Sequence, residues 1–71
     1  MFKVEVLENL KVVYCKQFET LEAAQEDYAS MVDLITGEKQ FEIDFASIIY
    51  DVFLKVKFNA GYETIMEASE I

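Results

Sequence analysis

Only one stretch of the chain, residues 20–36, repeats its apolar residues at helical spacing: Leu21, Ala24, Tyr28, Met31 and Ile35 recur three or four apart. The other apolar residues mostly alternate with polar ones, the period of a strand with one face buried. One amphipathic helix among strands can bury its stripe only against a sheet. The sequence therefore predicts an α+β domain in which one helix packs on one face of a mostly antiparallel sheet of four to five strands. The element order is β-β-α-β-β-β.

The helix has clear ends in the sequence. Thr20 suits the N-cap, with Glu19 and Glu22 near the positive end of the helix dipole. Gly37 suits the left-handed residue beyond the last turn. Before the helix, Phe2, Val4 and Val6 alternate with Lys3 and Glu5. Glu8-Asn9 reads as a two-residue turn into a strand over 10–18. That register pairs Val6 with Lys11, Val4 with Val13 and Phe2 with Cys15, so Cys15 is expected in the core and Tyr14 on the opposite face.

After the helix, residues 40–45 alternate, with Phe41, Ile43 and Phe45 on one side. Residues 48–58 form the longest alternating run. Ile48, Tyr50, Val52, Leu54, Val56 and Phe58 share one face; Ile49, Asp51, Phe53, Lys55 and Lys57 share the other. Asn59-Ala60-Gly61 reads as a three-residue loop with Gly61 at positive φ. The loop pairs Phe58 with Tyr62, Val56 with Thr64 and Leu54 with Met66, and sets Lys57 beside Glu63. Residues 67–71 are expected to fray.

Seventy-one residues make one domain, 1–71. A domain this small buries only about 60% of the surface its unfolded chain exposes, and such domains commonly rely on disulfides, metals or oligomerisation. One cysteine cannot form an internal disulfide, and the absence of histidine removes the commonest zinc ligand and the usual neutral-pH general base. Association with another chain is the remedy left. No apolar stretch is long enough for a membrane span. Met1-Phe2-Lys3 leads directly into strand alternation rather than a signal peptide, and a lone thiol fits a reducing interior, so a cytoplasmic location is expected.

The chain carries 14 acidic and 6 basic residues, a net charge of −8. That balance argues against direct nucleic-acid binding and against an anionic membrane surface, and favours a basic protein partner. No phosphate loop, paired-cysteine motif or nucleophile elbow occurs, so neither an enzyme nor a cofactor is expected. Glu42, Asp44 and Asp51 fall on one strand face, but hard cations usually require more oxygen ligands and a shaped loop. With Glu22, Glu26 and Asp33 on the helix, they make up the candidate acidic contact surface. The candidate apolar interface is Leu7, Leu10, Val12, Tyr14, Ile49, Phe53 and Ile65, all assigned to the sheet face away from the helix. Contiguous exposed apolar patches mark interfaces. Two functions follow. The first is a non-catalytic interaction module, as a homodimer or a small subunit bound to another protein. The alternative is an acidic inhibitor of phage or mobile-element type, of the anti-CRISPR, anti-restriction or antitoxin kind, that blocks a basic nucleic-acid-binding site by charge mimicry.

Overall fold

The computed structural model describes residues 1–41 and 48–71, with side chains described for 1–37 and 48–71. It contains strands β1 (Phe2–Glu8) and β2 (Lys11–Phe18), helix α1 (Leu21–Phe41), and strands β3 (Tyr50–Phe58) and β4 (Gly61–Ala68). The four strands form one antiparallel sheet in the order β2-β1-β3-β4, with α1 packed across β3, β1 and β2. The expected two-layer α+β architecture is present. The strand expected over 40–45 begins inside α1 and otherwise lies outside the described residues.

Helix α1 starts where its cap requires. Thr20 Oγ1 accepts a hydrogen bond from Ala23 N at 3.2 Å, satisfying one of the open N–H groups of the first turn. The helix does not stop at Gly37 as expected but continues to Phe41. Gly37 costs only about 1 kcal/mol in a helix interior, a penalty that continued pairing of the last turn offsets. Ala24 and Ile35 are buried against the sheet, with Tyr28, Met31 and Val32 packed at their flanks.

The helix face of the sheet supplies Val4, Val6, Val52 and Leu54, which complete the core. Cross-strand pairing explains why these four meet: Val4 lies opposite Leu54, and Val6 opposite Val52. Residues on paired positions share a face, so the central strands bury two apolar rows beneath α1. The alternation expected for β3 is the one observed, and Leu54 pairs with Met66 as anticipated.

Both hairpins depart from their expected turns. The first turn is Asn9-Leu10, with Glu8 opposite Lys11. Val6 pairs with Tyr14 and Leu7 with Val12, which leaves Val13 as the extra residue of a bulge. The moved turn shifts the register by two and leaves Val12 on its expected face, but the bulge exchanges the faces of β2 from Tyr14 onward. Tyr14 points toward α1, where its hydroxyl donates to Asp27 Oδ2 at 2.8 Å, and Cys15 is exposed beside Glu5 on the other face. The expected core position of Cys15 is therefore corrected.

In the second hairpin the loop is two residues, Asn59-Ala60, and Phe58 pairs with Gly61. Asn59 takes positive φ (56°) while Gly61 does not, so Gly61 is not the turn's left-handed residue. Asparagine tolerates that region better than most residues. A Cβ on Gly61 would meet nothing within 4 Å, so a side chain there has room. Lys57 faces Tyr62 rather than Glu63, and a second bulge at Ile65 restores the Leu54–Met66 pairing. Residues 67 and 68 belong to β4, and Ile71 exchanges two backbone hydrogen bonds with Tyr50, both 3.0 Å.

The bond from Tyr14 to Asp27 ties an edge strand to the helix. Burial first, and then the Asp27 carboxylate, push the Tyr14 phenol up to about 12. A group whose folded pKa is raised stabilises the fold below its unfolded value, near 10, and loses that contribution as pH rises toward 12. Tyr14→Phe is therefore expected to lower stability by about 1 kcal/mol at neutral pH. The gap should close above pH 10. Denaturant melts at several pH values check this, and a constant gap into strong alkali would contradict it.

Candidate functional site

The face of the sheet away from α1 has two unlike ends. Its rows follow from the pairing. Gln17, Lys3, Lys55 and Thr64 form one row; Cys15, Glu5, Phe53 and Glu67 form the next; Val12, Leu7 and Asp51 form the third. Beyond them lie the Asn9-Leu10 turn and Ile49.

The first two rows close on themselves. Glu5 lies 2.6 Å from Lys55 Nζ and 3.3 Å from Lys3 Nζ. Lys3 Nζ also sits 3.9 Å from the centre of the Tyr62 ring, and Gln17 donates to Tyr62 Oη at 3.5 Å. The Tyr62 side chain therefore reaches from edge strand β4 to edge strand β2. The aliphatic stems of the lysines and the tyrosine ring cover this end, and the ammonium groups already have partners.

Burial raises the Glu5 carboxyl, but Lys55 and then Lys3 outweigh it and hold the pKa below its ordinary value of 4.5. A depressed folded pKa gives stability above the unfolded value that disappears as pH falls through the folded one. Wild type should thus exceed Glu5→Gln in melting temperature most at neutral pH, with the difference shrinking as pH drops below 4.5. Parallel melts between neutral and strongly acid pH test the direction.

The other end is open and apolar. Leu10 is 82% exposed, Val12 52% and Ile49 47%. Leu7 pairs with Val12 and continues the patch toward β3. Asn9 fixes Ile49 beside the turn, since its N–H donates to the Ile49 carbonyl at 2.8 Å and its Oδ1 accepts from Ile49 N at 3.0 Å. Between the turn and residues 69–70 lies a cleft of about 460 Å³, lined by Asn9, Leu10, Ile49, Asp51, Ser69 and Glu70. That volume is in the range of ligand-sized sites.

The backbone around the cleft is unusual. Four non-glycine residues have positive φ among the described residues, and three of them, Asn9 (49°), Leu10 (68°) and Glu70 (56°), line the cleft. Positive φ at both turn residues is the type I′ hairpin geometry, in which the second position is normally glycine. Leucine there costs about 1–2 kcal/mol in the left-handed region. Strain of this kind collects at functional sites.

The expected apolar interface is therefore only partly assembled. Leu7, Leu10, Val12 and Ile49 gather at the turn end, and Phe53 lies one row inward, with Lys55 Nζ 5.3 Å from its ring centre. Tyr14 lies on the helix side, and Ile65, at the β4 bulge, is 45% exposed on the far edge strand. The acidic set is also divided. Glu22, Glu26 and Asp33 are exposed on α1, Glu42 and Asp44 lie outside the described residues, and Asp51 is buried, 7% exposed, at the cleft. The cleft itself was not legible in the sequence, because the wrong turn hid the left-handed Leu10. An exposed leucine beside a turn asparagine was its only local signal.

Among the described residues no helix is long and apolar enough to cross a membrane. Comparison with family models, with curated proteins and with solved structures found no match.

Proposed function

We propose that this chain is a non-catalytic protein-binding module whose contact surface is the turn end of the open sheet face. One observation carries the reading: Leu10 is both strained, at φ 68°, and 82% exposed. The fold gains little from either property, whereas a partner would bury the side chain. Val12 and Ile49 extend the same surface. The expected cytoplasmic setting, in which the exposed Cys15 stays a thiol, belongs to this reading.

The charge favours a different, basic protein over a second copy. Each copy carries −8, and Asp51 and Glu70 stand at the contact surface itself, so two identical patches would repel. The alternative of an acidic nucleic-acid mimic rests on the exposed α1 stripe of Glu22, Glu26 and Asp33. One helical turn rises about 5.4 Å against about 1.7 Å per charge along duplex DNA, so the stripe is sparse.

The test begins with capture of partners from the native host, followed by reconstitution of the complex from purified components. Leu10→Asp with Val12→Asp should abolish that complex, while Glu22→Lys with Glu26→Lys should leave it largely intact. The reverse pattern would move the site to the helix and favour charge mimicry. Sedimentation velocity of the isolated chain reports self-association directly, and a stable apolar dimer through Leu10 would replace the heteromeric reading.

A further inference from the structure

The cleft holds a carboxylate with no cation beside it among the described residues. Asp51 is 7% exposed, and its Oδ1 accepts a hydrogen bond from Glu70 N at 3.1 Å. No ion pair to Asp51 is formed among the described residues. No wholly buried side-chain oxygen there lacks a partner, so its second oxygen keeps access to the cleft it lines. A nearly buried carboxylate is normally paired. Among the described residues no cation supplies that pairing.

Resting on the protein-binding reading, we infer that the cleft receives a lysine side chain of the partner protein. The lining matches that group. Leu10 and Ile49 contribute apolar surface suited to a four-carbon stem, Asp51 supplies one accessible acceptor oxygen, and Glu70 adds a second carboxylate. One free oxygen fits an ammonium, which acts as a point donor. The two-pronged arginine fork would have to share Oδ1 with the Glu70 amide, which favours the ammonium. The exposed apolar residues outside the cleft, Val12 above all, extend past what a free amine would cover, which favours a side chain carried on a protein surface. The net charge of −8 draws a basic partner toward the same place.

The experiment is an amide-resolved NMR titration of the intact chain with Nα-acetyl-lysine amide and with Nα-acetyl-norleucine amide, which has the same stem and no charge. The lysine derivative should shift Ile49, Asp51 and Glu70 in the millimolar range expected of a fragment, and norleucine should shift them at least about tenfold more weakly. Asp51→Asn keeps an oxygen for the Glu70 amide and should weaken lysine binding by about tenfold or more. If that variant does not fold, the lysine–norleucine comparison on wild type still decides. Equal responses to the two probes, or none, overturn the inference. Tighter binding of the arginine derivative overturns the ammonium assignment, and tighter binding of spermidine assigns the cleft to free polyamines instead. A reconstituted complex that depends on Leu10 but shows no lysine response would remove this inference alone. A complex indifferent to Leu10 would remove the protein-binding reading beneath it.

Discussion

Leu54→Ala is expected to leave the domain barely folded. Leu54 is fully buried on β3, between Val4 of β1 and Met66 of β4 and beneath α1. Removing three carbons there loses their transfer free energy and opens a cavity that the packed rows cannot fill, together about 3 kcal/mol. A 71-residue domain has on the order of 4–11 kcal/mol in total at typical per-residue values. At roughly 4–8 °C per kcal/mol, the melting midpoint should drop by roughly 12–24 °C. Leu34, on the outer side of α1 and 55% exposed, is the matched control, and Leu34→Ala should change the midpoint by no more than a few degrees. Thermal melts followed by circular dichroism compare the two directly. Similar midpoints for both variants would show that the core is not where the packing places it.

Leu10→Gly should act in opposite directions on folding and binding. At φ 68° glycine relieves the left-handed strain of leucine, about 1–2 kcal/mol, and gives back about 0.5–1 kcal/mol through its freer unfolded chain. A net gain of up to about 1.5 kcal/mol is expected, and the resulting Asn-Gly turn is the favoured hairpin pair. Binding loses the burial of one leucine, about 1.5–3 kcal/mol, which weakens the partner complex by roughly ten- to a hundred-fold. A variant more heat-stable than wild type and poorer at binding would show that leucine is held there for the partner. A lowered melting point would mean instead that Leu10 supports the hairpin, and unchanged affinity would place the contact elsewhere.

What could be read from the residues depended on how local the deciding physics was. The apolar stripe of α1 and the two faces of β3 are periodic patterns, and periodicity reports burial directly. Thr20 marked the start of the helix because its cap is a local hydrogen bond. The face of β2 beyond Val13 was lost to a single extra residue, although the turn moved as well. The turn moved from Glu8-Asn9 to Asn9-Leu10, and Val13 bulged out of register. A one-residue slip transfers every side chain beyond it to the other face, so Tyr14 and Cys15 changed places together while Val12, before the bulge, stayed where expected. Gly37 and Gly61 misled for a related reason: glycine permits a left-handed bend but does not require one. The site suffered most, because it lies where the displaced turn, Ile49 and residues 69–71 converge. Nothing in the spacing of the sequence brings those three segments together.

Both outer strands of the sheet carry a bulge, at Val13 in β2 and at Ile65 in β4. A regular outer strand offers a row of free amides and carbonyls onto which another molecule can polymerise. With 54% apolar residues and no proline, this chain adds such irregularities to the repulsion of its −8 charge as a defence against fibril growth. An extra residue on each border breaks the repeat that an incoming strand would have to match. The two irregularities that make the pattern hard to read are also what keeps neighbouring copies from adding to it.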